Sequence, residues 1–149
     1  MNNHPYLRAY MAGIAVPTPL LLVALMLFSI ARFAYNVPIP LERVIIFPMA
    51  IIPNLFGVWN MLHLASRSYT HLPLGIHGAI LPFILAPAGF FLARSLGFLR
   101  VTGHSLIYFD VVEIHFVHLA LAFTAVLIVY YLIWKYLIGF FNQVAGIAE

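Results

Sequence analysis

Four apolar runs, residues 11–30, 44–64, 74–92 and 111–131, occupy most of a chain of 149 residues. A bilayer's hydrocarbon core, about 30 Å thick, takes roughly 20 apolar helical residues to cross, and each run is close to that length. Only 7% of the residues are charged and 64% are hydrophobic, whereas soluble domains carry roughly 25% charge. Seven Lys and Arg with four Asp and Glu are too few to cover so much apolar surface in water. Backbone N–H and C=O groups find no partner in hydrocarbon, so the spans must be helices or the strands of a closed barrel. A barrel strand alternates polar and apolar residues, and residues 20–28, LLLVALMLF, do not. The expected fold is an all-α integral membrane protein. It is one domain over residues 1–149, a bundle of four Pro-kinked transmembrane helices at about 7–35, 41–66, 73–99 and 105–141.

Composition removes several function classes. Cysteine is absent, which excludes disulfide scaffolds, thiol catalysis and thiolate metal sites. The net charge of +3 comes from Arg and Lys near span ends, where membrane proteins place them. It forms no basic cluster of the kind nucleic acid requires. The first run is too long, and its cleavage context too poor, for a removable signal, so it is read as an uncleaved anchor. An even number of spans puts both termini on one side of a multi-pass protein. That side carries Arg8, Arg67 and Lys135, the other Arg32, Arg43, Arg94 and Arg100. So small a bias leaves the orientation open, insertion both ways included.

Prolines punctuate the spans: Pro17 and Pro19 in the first, Pro48 and Pro53 in the second, Pro82 and Pro87 in the third. Each removes a backbone donor and kinks its helix. In transporters such broken helices free carbonyls that line a polar path, although Pro is also simply commoner in membrane helices than in soluble ones. On the third helix Gly75, Ala79, Pro82, Ala86, Gly89 and Ala93 fall within roughly 80° of one another at 3.6 residues per turn. A stripe of small residues lets helix backbones approach closely in lipid, where packing drives association. His77 projects to the other side and is expected outside that seam.

The titratable residues supply the candidate sites. Asp110, Glu113 and His118 share a flank of the expected fourth helix, continued by Thr124; Asn54 lies deep in the second. Ionisable groups within a span are costly and mark ion or proton paths. Arg94, at the third helix's exit, is placed to pair with Glu113 or Asp110. Asn60, His63 and Arg67 form a polar face near the end of the second helix. His63 and His77 lie at matching depth on neighbouring antiparallel helices, a spacing that would let two imidazoles ligate haem or a divalent metal. No further ligands accompany them, so no cofactor is expected outright. Glu113 and His115 lack the Glu-x-x-His spacing of di-iron sites.

Familiar four-span families leave no trace in these residues. The first helix lacks the embedded acid of small multidrug exporters. The acid–arginine–asparagine pattern that membrane glutathione transferases carry in the second helix and the Gly, Asn and Phe signatures of dual-topology fluoride channels are missing too.

Three functions follow as expectations. The first is a channel or carrier for an ion or small solute, using the polar residues of the fourth helix. The second is a haem- or metal-binding membrane subunit of a redox system. The third is a non-catalytic assembly or scaffold subunit that docks a partner through the small-residue stripe. No nucleophile–base pair stands out, so an enzyme is not the expectation. The expected partners are the lipid bilayer and further copies of the chain in a homo-oligomer; nucleic acid is not one.

Overall fold

A computed structural model describes residues 4–38, 40–110 and 112–147. Val111, with which the fourth apolar run opens, lies outside the described residues, as does Ile39. The described chain is mostly helical (75%). Four helices are long and apolar enough to cross a membrane: Pro5–Ala34, Glu42–Ser66, Leu74–Ser95 and Phe116–Val144.

The first comprises α1 (Pro5–Ala15) and α2 (Pro17–Ala34), joined through Val16, whose backbone is itself helical. Pro17 and Pro19 each withhold an N–H from the ladder. Beside them the Thr18 hydroxyl donates to the Ile14 carbonyl at 2.6 Å, returning a hydrogen bond to the weakened turn. The second opens with a π-helical turn, Glu42–Ile46, and continues as α3 (Phe47–Ser66). The wider turn precedes Pro48, which has no N–H to donate. After Pro53, the Asn54 amide donates to the Ala50 carbonyl at 2.8 Å. The third is α4 (Leu74–Ser95), with Pro82 and Pro87 inside it. The last is α5 (Phe116–Leu132), a π-helical stretch Ile133–Ile138 and the short α6 (Gly139–Val144).

The chain divides into two compact units, residues 1–72 with 136–149, and residues 73–135. In the first unit α1 crosses α3 at a pair of glycines. A Cβ on Gly13 would stand 2.6 Å from the Phe56 carbonyl oxygen, and one on Gly57 would meet the Tyr10 ring at 2.5 Å. Below the crossing Asn60 is buried and donates to the Ala9 carbonyl and to Asn142 Oδ1, each at 2.7 Å. Asn142 is buried as well and its amide donates back to Asn60 Oδ1 at 3.2 Å. This reciprocal amide pair ties α1, α3 and α6 together. The chain past α6 closes with Gly146 at φ +65. Its N–H reaches Gln143 O and that of Ile147 reaches Asn142 O, the two bonds of a glycine-terminated helix end.

In the second unit α4 packs antiparallel to α5 along its N-terminal half. A Cβ on Gly75 would lie 2.7 Å from the Tyr131 ring, and one on Gly78 would lie 1.9 Å from Trp134. His77 is buried and meets the Trp134 ring edge-on at a centroid distance of 5.9 Å. The expectation that His77 avoids the seam is therefore corrected. Trp134 is a large ring, and the space left by Gly78 lets it reach past the small-residue stripe to the histidine.

The largest correction concerns residues 99–115. Sequence reading ends the third helix at about residue 99, breaks the chain at Thr102-Gly103 and starts the fourth helix near Ser105; residues 99–115 form a three-stranded antiparallel sheet instead. Its strands are β1 (Leu99–Val101), β2 (Ser105–Tyr108) and β3 (Val112–His115). The fold is thus not purely α, and its last helix begins at Phe116. Helix α4 stops at Ser95 because Gly97 adopts φ +74. The N–H of Gly97 then bonds Arg94 O and that of Phe98 bonds Ala93 O, so the chain leaves the helix before β1.

Candidate functional site

The sheet explains where Asp110 and Glu113 go. Its register pairs Leu99 with Tyr108, Val101 with Leu106, Leu106 with Ile114 and Tyr108 with Val112. Side chains alternate between faces along a strand, so these residues share one apolar face. The other face carries Arg100, Ile107, Glu113, Ser105 and His115, by the pairings Arg100–Ile107, Ile107–Glu113 and Ser105–His115. The β2–β3 turn holds Phe109 and Asp110 at φ +54 and +57, an unusual conformation for a residue as large as Phe. The Phe109 N–H donates to the Phe98 carbonyl and its ring stacks on that of Phe98 at 5.2 Å.

The acids are engaged on this sheet. Arg100 Nη2 lies 2.9 Å from the Asp110 carboxylate in an exposed pair. Glu113 accepts the Ser105 hydroxyl at 2.5 Å, and Thr102 bonds the same serine across the β1–β2 loop. The expected pairing of Arg94 with Glu113 or Asp110 is not formed. The third described carboxylate, Glu42, lies 3.4 Å from Arg32, so no described carboxylate pairs with Arg94. Its guanidinium is exposed at the end of α4.

The remaining candidates are dispersed. His118 sits in the first turn of α5, exposed rather than buried, its ring 6.0 Å from that of His115. Glu113 belongs to a strand, so Asp110, Glu113 and His118 do not share a helical face. Thr124 is exposed on α5 and donates to the Ala120 carbonyl. Asn54 belongs to the first unit and accepts the Tyr10 hydroxyl. His63 lies half-buried on α3 in the first unit and His77 in the second. Among the described residues no three or more His, Asp or Glu side chains are grouped to hold a metal ion.

What the second unit does assemble is an apolar groove of about 720 Å³, open on one side. One wall is α4, through Ala86, Gly89, Phe90 and Ala93. The roof is the apolar face of the sheet, through Leu99, Leu106, Tyr108 and Ile114. The opposite wall is the start of α5, through Phe116, Leu119, Ala120 and Phe123. Phe123 meets Phe83 edge-to-face at 5.2 Å at the end away from the sheet. Among these lining residues only Tyr108 has a polar side-chain atom.

The small-residue stripe therefore divides. Gly75 is covered by Tyr131 and Lys135, whereas a Cβ on Gly89 would meet nothing within 4 Å. Ala86, Gly89 and Ala93, expected to bury a neighbouring helix, leave room instead. Two signals in the sequence pointed to the groove: Gly97, which ends α4, and the alternation of Val112-Glu-Ile-His115. No family model, curated protein or solved structure matches the chain.

Proposed function

We propose that this chain is a multi-pass membrane protein of the carrier type, and that its second unit binds a small solute with an apolar body. The observation that carries the reading is the groove. Its volume falls within the ~300–1,000 Å³ of small-molecule sites, and its walls are apolar on all three elements. Its small-residue wall leaves space that larger side chains would fill. An apolar solute fits better than an ion because the nearby acids have partners, Asp110 with Arg100 and Glu113 with Ser105. The scaffold reading is weakened by Gly75 and Gly78, whose faces are occupied by Tyr131 and Trp134 of the same chain.

Photolabelling tests the reading. A small hydrocarbon diazirine, applied to the protein in lipid nanodiscs, should label α4 and α5 at the groove in a saturable manner. Exposed Leu121 and Ile128 serve as lipid-facing references that label without saturation. Gly89→Leu, which a free Cβ position accommodates, should cut groove labelling several-fold and leave the references unchanged. Uniform labelling that ignores the substitution would refute the proposal.

A further inference from the structure

The groove runs from the sheet, where its one polar lining side chain, Tyr108, stands, to the middle of α5 at Phe123. Helix α4 runs toward the sheet from Ala86 to Ala93, and α5 runs away from it from Phe116 to Phe123. At the sheet end stand Ala93, Leu99 and Leu99's cross-strand partner Tyr108. Arg94 follows Ala93 directly. At the far end Phe123 lines the groove and meets Phe83 edge-to-face.

Resting on the carrier reading, we infer that the solute is a single-chain amphiphile with a carboxylate head, its chain in the groove and its head at the Arg94–Tyr108 end. A hydrocarbon tail gains no hydrophobic free energy by leaving lipid for a protein groove, since both are apolar. Selection must then come from the shape of the groove and from the head. The shape suits one chain, with Ala86, Gly89 and Ala93 along its length and the Phe123 ring at its far end. The charge suits an anion: Arg94 is exposed and no described carboxylate pairs with it, because Asp110, Glu113 and Glu42 face Arg100, Ser105 and Arg32. A guanidinium binds a carboxylate through two parallel N–H donors. The Tyr108 hydroxyl is the one polar side-chain group on the groove wall.

The test uses full-length protein in nanodiscs of zwitterionic lipid. Bound cis-parinaric acid is displaced by palmitate or by hexadecanol, which has the same chain and no charge. Palmitate should compete about tenfold better, the size of effect expected from a hydrogen bond to a charged group. Arg94→Gln should remove that preference and leave hexadecanol unaffected. Gly89→Leu should block both competitors while its circular dichroism matches the wild type. Equal competition by the two, unchanged by Arg94→Gln but lost in Gly89→Leu, would overturn the head assignment and leave the carrier reading standing. Binding that ignores Gly89→Leu would overturn both. So would a wild-type dimer that Gly89→Leu converts to monomer, since the groove would then hold a second copy of the chain.

Discussion

Gly78 and Gly89 sit on one helix and answer different demands. At Gly78 an added methyl would collide with the Trp134 ring, whereas at Gly89 it would enter open groove. Gly78→Ala should therefore destabilise by about 1–3 kcal/mol, the usual cost of overpacking. Gly89→Ala should be neutral or stabilise by up to about 1 kcal/mol, because alanine is the better helix former. Thermal unfolding in detergent checks the pair, and equal shifts would contradict the assigned surroundings. Asn60 and Asn142 allow a second comparison. Asn142→Ala leaves the buried Asn60 short of a partner and should cost about 1–3 kcal/mol. If the amide pair is what matters, Asn60→Leu with Asn142→Leu should cost less than the two single changes summed. Simple additivity would mean that the side chains act independently. Helical projection found the spacing of Gly75, Ala79 and Pro82 but misplaced His77. A projection treats side chains as points, and the size of Trp134 decides what it touches.

At the scale of elements, the instructive part is residues 99–115. Hydropathy over a long window blends Val112 and Ile114 with the run that follows, so a strand pair appears as the opening of a helix. The period of two was present in Val112-Glu-Ile-His115, and Gly97 marked the end of α4. The helices themselves were legible, since 20 or so consecutive apolar residues leave the backbone few choices in lipid. Because the chain has no cysteine, single cysteines can carry spin labels without interference. Labels at 112–115 should show accessibility to a water-soluble relaxant that alternates with period two, high at 113 and 115 and low at 114. A period near 3.6 would restore the helix and remove the roof of the groove.

For the whole molecule, composition goes as far as four helices long and apolar enough to cross a membrane and does not reach the site. The site depends on a turn that lifts the chain out of α4, lays a sheet with its apolar face over Gly89, and returns as α5. The polar residues expected to line an ion path, Asp110 and Glu113 above all, instead sit on the sheet's turn and on its outer face. The account rests on helices that cross lipid, with the groove as a feature of a membrane-embedded unit. Polarised attenuated total reflection infrared spectroscopy of the protein in oriented bilayers tests this most directly. The account predicts an amide I helix band whose transition dipoles lie close to the bilayer normal, with a small β band from the sheet. Helices lying in the membrane plane, or a protein that stays folded and monomeric in buffer without lipid or detergent, would contradict it.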